Sequence, residues 1–564
     1  MKLYKYLFKV LIFSITILLG ACSEDFIDKP IQPGTESDAS FRKTADGLLY
    51  TLNASYAPLN GNYWYNYWIN KNVLGNNRSD DVQAGGNDEN DAAPVHAISD
   101  FNIFSTNVTF EEFWRHCYIG VHYANAVIEY APSALTVAKT DEAERINNYV
   151  GQAKCLRAYW YFELVKEYGD VPLLLTASSQ KLIPRTNRLL VYDQIQKDLI
   201  EASEVLKPAN ELAAAEKGRM NAGAALAILA KVYLFRASLE TDKADQYYSL
   251  AYETAKKVIE SGQFSLLPAY NTNWISAGDF SAEGIVEAGQ PSPNNSDTGY
   301  GVIWVAPRYY YTGKKTPEGL NIKGPASAYG WGFCTPTQDF VDAFEPGDPR
   351  KNWTVFVQGD SANVGVSNKK VMQLICFDHS LTGYYLRKHL PDNGYPTRTQ
   401  NAKNVKFYRY SDLLLVGAEA ANETGKTADA LAWLEIVRLR ARNTPAAPYH
   451  AQDKIDGVPV KITETNKDAL RSIIQNERRV ELGAEDQRFY DLVRWDGKNG
   501  FDWKSRIETA QKSVGPNFQI DSDEKSGTPR VPHVVVVEPK HKLSPIPEAE
   551  IKTSGNTLTQ NEGY

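Results

Sequence analysis

Trp114, Tyr118, Val121, Asn125 and Ile128 step along the chain by three and four residues, which sets them on one face of a helix. Ala153, Leu156, Trp160 and Leu164 repeat the step, and Tyr168-Gly169-Asp170 stops that helix before Val171-Pro172. Ile195, Leu199, Ala202 and Leu206 do so again within Val191 to Leu206. Further runs cover 41–60, Tyr247 to Ile259, Tyr408 to Ala421, Ala428 to Ala441 and Asp468 to Val493. Met220 to Leu234 carries Ala222, Ala224, Ala225, Ala227 and Ala230, small side chains that let neighbouring helices approach closely. A chain so patterned buries its stripes by stacking helices on one another, so the expected class is mainly α.

The successive helix pairs resemble tetratricopeptide hairpins, although their period is irregular. From 265 to 405 the helical step fades, Gly and Pro rise, and Trp274, Tyr300, Trp304, Tyr309, Tyr310, Tyr311 and Trp331 appear. That stretch is too long for one structureless loop, so short strands and helices are expected within it. The last 60 residues are rich in proline and mostly irregular, with Leu543-Ser544-Pro545-Ile546-Pro547 among them.

The N-terminus carries Lys2, Lys5 and Lys9, then an apolar run from Val10 to Leu19 broken by Ser14 and Thr16, then Gly20-Ala21-Cys22. The run is about half of the 20 residues a membrane-spanning helix needs, so a cleaved secretory signal over 1–21 is expected. Cys22 after Leu-Gly-Ala resembles the lipobox of bacterial lipoproteins, which implies an acylated Cys22 and anchoring by two or more acyl chains. Ser23-Glu24-Asp25 resembles the surface-export tag of lipoproteins in Gram-negative anaerobes of the gut, so the outer membrane's exterior face is expected. Residues 22–40 then read as an acylated tether. Loss of residues 1–21 moves the formal charge from −7 to −10, because three lysines leave and no acid does. A mildly acidic chain without a long basic run argues against a nucleic-acid partner. Cys117, Cys155, Cys334 and Cys376 are too widely spaced for a metal pattern or a disulfide framework, and Cys155 sits in an apolar helical stripe where an inert, buried thiol is expected.

No HExxH, nucleophile elbow, phosphate loop or dinucleotide fingerprint occurs, so no cofactor or metal is expected. Glycoside hydrolysis needs two carboxylates about 5 to 9 Å apart across a cleft. Glu477 and Glu481 lie one helical turn apart, but their neighbours Arg478, Arg479 and Arg488 favour a structural ion-pair network. Asp80 and Asp81 are adjacent and cannot straddle a bond. His116 and His122 do not share a helix face. The enzyme class is therefore set aside for a binding class. The chain holds 33 tyrosines and 11 tryptophans, side chains with a flat apolar face and a polar edge. Two segments combine such rings with polar groups. One runs from Trp64 to Asp81 with Trp68, Asn76, Asn77, Arg78, Asp80 and Asp81. The other runs from Tyr300 to Trp331 with Trp304, Arg308, Tyr309, Tyr310 and Tyr311. The competing role for each ring is packing beneath its own loop, and Trp331, near Phe333 and Pro336, is assigned that role.

Several motifs together resemble the SusD/RagB family of outer-membrane nutrient-binding lipoproteins. They include Trp114, Tyr118, Ala124-Asn125-Ala126-Val127-Ile128, Ala153 to Phe162, Tyr168 to Leu173 and Gly218-Arg219-Met220. They continue with Phe340 to Glu345, Asp348-Pro349-Arg350, Arg409 to Leu415, Glu477 to Leu482, Arg488 to Trp495 and Thr559 to Tyr564. Ser411 and Ser544 stand where alanine and phenylalanine are more familiar. The resemblance implies a tetratricopeptide-like helical-hairpin scaffold carrying a loop-rich ligand-binding face. It divides the mature chain into a helical region 41–264, a ligand-face region 265–405 and a C-terminal region 406–564. It also implies a partner, a SusC-like TonB-dependent barrel over which the protein closes as a hinged lid, and a platform built from the two aromatic segments. The residues expected to contact glycan are Trp68, Asn76, Arg78, Asp81, Tyr300, Trp304, Tyr309 and Tyr310. An oligopeptide ligand is the alternative, since a peptide needs fewer stacked rings. A lid without ligand of its own is a third possibility.

Overall fold

In the computed structural model the residues described are 41–564 apart from 61–65, 87–89, 178–182, 290–299, 307–329, 358–360, 367–368, 375–379, 381, 389–402, 448–449 and 514–531. Cys22, Cys376, Arg308, Tyr309, Tyr310 and Tyr311 lie outside them. The principal helices are α1 (Ala45–Tyr56), α2 (Tyr67–Asn72), α3 (Val108–Leu135), α4 (Thr140–Tyr168), α5 (Arg188–Val205), α6 (Ala222–Leu239), α7 (Ala244–Glu260), α8 (Tyr300–Val305), α9 (Tyr410–Glu423), α10 (Thr427–Asn443), α11 (Lys467–Leu482) and α12 (Arg488–Trp495). Polar side chains start several of them: Thr44 accepts from Gly47 N at 3.0 Å, and Asn221 accepts from Ala224 N at 2.9 Å. Gly169, at φ 73°, ends α4 where the Tyr-Gly-Asp signal lies.

Helices α3 to α7 pack each on the next, in the hairpin manner of tetratricopeptide repeats. The alanines of α6 make this close packing possible: Ala224, Ala225, Ala227 and Ala230 are completely buried. Between α3 and α4 the approach is closer still. A Cβ on Gly120 would lie 2.1 Å from Trp160 Nε1, and that indole donates to Ser55 O at 3.2 Å. Gly120→Ala is expected to cost about 2–3 kcal/mol, because the ring is wedged between three elements and has nowhere to move. Urea unfolding followed by circular dichroism checks this; an unchanged midpoint would refute the close packing.

The region 265–405 supplies the short strands expected of it: β2 (Gly284–Ala288), β3 (Phe333–Pro336), β4 (Val355–Phe356), β5 (Ser361–Val366), β6 (Lys369–Leu374), β7 (Tyr385–Leu386) and β8 (Val405–Arg409), with β1 (Val82–Gly85) preceding them. The antiparallel pair β2–β8 joins the two ends of this excursion, register Gly284 to Arg409 and Ala288 to Val405. As a result α9 packs against α7 and α10 against α9, so the helix stack resumes after some 150 residues as though uninterrupted. The pair β1–β3 ties the loop after α2 to the same region. One contiguous apolar core runs from Leu48 through Leu229 and Leu414 to Leu558.

The expected helix Asp468 to Val493 is two helices. It breaks at Gly483–Gln487, where Ala484 and Asp486 take left-handed backbone at φ 61° and 64°. Around this break lies an interior of paired charge. Glu481 receives Arg409 Nη1 at 2.6 Å, Arg350 Nη1 at 3.1 Å and Arg440; Glu477 receives Arg350 and Arg438. Asp412 bridges Lys231 at 2.6 Å and Arg478 at 2.8 Å. Glu477 and Glu481 thus act as structural ions, as expected, though their partners come from three other elements of the C-terminal half rather than from Arg478, Arg479 and Arg488.

Candidate ligand site

The first aromatic segment folds inward. Asn66 caps α2 by accepting from Ile69 N at 2.9 Å, and a π-helical turn, Val73–Asn77, follows. Trp68 is buried within this unit. Asn76 donates to Asp486 Oδ1 at 3.0 Å and accepts from Asp486 N at 3.1 Å. Arg78 makes a bidentate pair with Glu167, both contacts at 2.8 Å, donates to Ser544 Oγ at 2.9 Å and lies 4.0 Å from the centre of the Phe489 ring. Asp81 accepts from Arg479 Nε at 2.7 Å, and Asp80 accepts from Arg488 and Arg506. Asn77 accepts from Cys334 Sγ. Trp304, in α8, is buried with its ring 3.9 Å from that of Phe333 and within 9° of parallel. Trp331 is half-buried and meets Trp304 edge-on.

The expectation that Trp68, Asn76, Arg78, Asp81 and Trp304 form an open face is therefore corrected. A desolvated charge is tolerated only when paired, and Asn76, Arg78 and the Oδ1 of Asp81 spend their bonds on partners inside the chain. Tyr300 begins α8, with its side chain outside the described residues. The two segments do meet, α8 packing on α2; ahead of each, Asn60 Nδ2 donates to Gly289 O at 2.6 Å.

At the Asn60–Gly289 bond lies a cavity of about 360 Å³. Tyr56 and Asn60 at the end of α1, Lys217, Gly218 and Arg219 ahead of α6, and Phe280 and Glu287 line it. A second cavity of about 250 Å³ shares Gly218, Arg219, Phe280 and Glu287 and adds Ser281 and Gln263. Phe280 stands at φ 47°, a left-handed conformation that costs a residue with a Cβ on the order of 1–2 kcal/mol. Two features hold it there. Its N–H donates to Glu287 Oε1 at 2.8 Å, and its ring lies over Gly218, where a Cβ would come within 2.3 Å of it. Gly218 itself is at φ 87°, so both its backbone and its bare face are required.

Glu287 also accepts from Asn404 Nδ2 at 2.7 Å and lies 3.5 Å from Lys406 Nζ. Burial pushes its carboxyl above the ordinary range, against the opposing charge of Lys406. Its Oε2 has no hydrogen-bond partner, and the same is true of Asn60 Oδ1 and Ser281 Oγ in the joined walls. Arg219 donates to Asn53 Oδ1 at 3.0 Å and to Gln152 Oε1 at 3.4 Å, and its guanidinium lies 5.7 Å from the centre of the Tyr56 ring. The arrangement offers two rings and a guanidinium with donors to spare. A ligand rich in hydroxyl groups would complement it. Sequence reasoning singled out Gly218-Arg219 but missed Phe280 and Glu287, which carry no local signature.

A family model described as the SusD family matches residues 290–564, and one described as starch-binding associating with outer membrane matches residues 37–234. SusD-like protein P2 of Formosa agariphila is 25% identical over 575 residues, covering 100% of both chains. A SusD homolog from Bacteroides thetaiotaomicron superposes with a TM-score of 0.73 at 21% identity, over 94% of this chain and 99% of that one. Surface glycan-binding protein A from Bacteroides fluxus does so with a TM-score of 0.69 at 25% identity, over 92% and 100%. With the helix stack, the strand-closed excursion and these matches along nearly its whole length, the chain belongs to the SusD family.

Proposed function

We propose that this chain is a lipid-anchored outer-membrane protein that binds glycan at the cell exterior. In this reading it closes as a lid over a SusC-like TonB-dependent barrel, held there through Cys22. The observation that carries the glycan part is the cavity at Asn60, Phe280 and Glu287, which sets the rings of Tyr56 and Phe280 beside the guanidinium of Arg219. Its likeness to a surface glycan-binding protein supports the same reading. Tyr300, Tyr309 and Tyr310 would add stacking faces to the ligand. No bond is made or broken: a ligand touched by both lid and barrel favours the closed state by its differential affinity, and tethering at the barrel raises its effective concentration.

The test is a glycan and peptide array probed with soluble protein beginning after Cys22, followed by affinity electrophoresis of a Phe280→Ala, Asn60→Ala double variant. Retention of one glycan class is expected, and the variant should lose about tenfold or more of it, as removal of a stacked ring and a buried polar contact implies. Binding to peptides alone would replace this reading by the oligopeptide one.

A further inference from the structure

We infer that the glycan taken at this cavity is anionic, with Lys217 and Arg219 meeting a carboxylate or sulfate on it. The inference rests on the glycan reading above and adds its charge class. Its basis is that Arg219, unlike the arginines of the interior network, meets no carboxylate. Arg78, Arg350, Arg409, Arg479 and Arg488 each end on carboxylates of the same chain. Arg219, half-buried at the cavity wall, ends instead on two neutral amide oxygens, those of Asn53 and Gln152. A guanidinium carries five donors, so after these contacts it retains both unspent N–H groups and its full charge.

Two residues earlier Lys217 stands exposed at the rim of both cavities, with no ion pair among the described residues. The acids at hand do not cancel this pair. Glu287 and Asp279 share Lys406 at 3.5 and 3.6 Å, Glu287 is also bonded to Phe280 N and Asn404, and Glu216 makes no ion pair with either cation among the described residues. The cavity therefore presents two cations in a chain whose formal net charge is −7. In such a chain a basic pair at a cavity rim with no carboxylate partner discriminates among saccharides by their charge. The hydroxyl-rich face of an acidic sugar would lie against the rings of Tyr56 and Phe280. Its anionic substituent would take Arg219 in the two-pronged geometry that guanidinium shares with carboxylate and sulfate, with Lys217 as a second point charge.

Isothermal titration of the full soluble chain with three probes tests this: a neutral laminarin hexasaccharide, an oligogalacturonate and a sulfated oligosaccharide. At least one anionic probe is expected to bind about tenfold or more tightly than the neutral one, the scale of one charge-assisted bond. That preference should fade between about 0.05 and 0.5 M NaCl, because the cations are partly solvent-exposed. The two anionic probes separate a carboxylate ligand from a sulfate one. Lys217→Gln touches no internal contact and should cut the preference several-fold. Arg219→Gln should remove it, while Arg219→Lys, which keeps the charge but not the fork, should restore only part. Neutral and anionic probes binding equally, or a preference unmoved by Lys217→Gln and Arg219→Gln, would overturn the inference and leave the glycan reading standing. Failure of all three probes and of the glycan array would overturn the glycan reading itself.

Discussion

Glu481→Gln is expected to destabilise the protein by about 3–5 kcal/mol, much of the total free energy that a folded domain holds. The side chain is fully buried and accepts from Arg350, Arg409 and Arg440. Burial alone would raise its carboxyl, yet the charges of Arg440, Arg409 and Arg350 outweigh that and hold it well below the ordinary range. The amide keeps the shape and removes the charge, so three desolvated guanidinium groups lose a shared counter-ion at once. Those arginines arrive from β8, α10 and the turn Asp348-Pro349-Arg350, so the loss loosens the joint between the resumed helix stack and the strand region. Lys552→Gln is the matching control. It breaks a surface pair with Glu548 in the C-terminal helix and should shift stability by less than about 0.5 kcal/mol. Urea midpoints from far-ultraviolet circular dichroism compare the two. A Glu481→Gln midpoint as little displaced as that of Lys552→Gln would show that the interior charges are not acting as one unit.

The same charge network explains what could and could not be read from sequence. The helices of the stack were legible because their evidence is local: a three-four step, an alanine-rich contact face, a Tyr-Gly-Asp stop. Arg78 and Asp81 were misplaced because theirs is not. The chain displays a charge at one position and its partner 89 residues away at Glu167, or 398 away at Arg479. A loop dense in Asn, Asp and Arg reads as solvated unless those partners are known. The break between α11 and α12 was hidden for a related reason. Its left-handed positions are occupied by Ala484 and Asp486 rather than glycine, and an apolar step continues on either side. Gly218, by contrast, sat in a motif that could be noticed, while Phe280, the ring it makes room for, is separated from it by two helices.

Asp486 is where that hidden break becomes measurable, through pH. Its carboxyl is buried, accepts from the amides of Asn72 and Asn76 at 3.0 Å each, and has its own N–H bonded to Asn76. Three charges face it, and none is a free cation: Lys71 is paired with Glu163, and Glu485 with Lys388 and Arg409. Burial therefore pushes Asp486 up to about 7, with Lys71 and the Asn72 amide opposing. A carboxyl raised in the folded state holds its proton while the unfolded chain has released it. Its contribution to stability is complete below about pH 4 and is lost as pH rises through about 7, a span on the order of 4 kcal/mol. Glu163 and Glu419, held down at about 2, act in the opposite sense, but their contribution is complete above the ordinary carboxylate range and is flat across this window. Asp486→Asn keeps the acceptor for both amides and removes the proton. Relative to wild type, the variant should gain stability between about pH 4 and 7, approaching 1.4 kcal/mol per unit in the steepest part, and level off above that. Parallel stability profiles of the two proteins over that range would show that Asp486 is ionised in the fold. A cation would then have to be found for it among the groups around the π-helical turn.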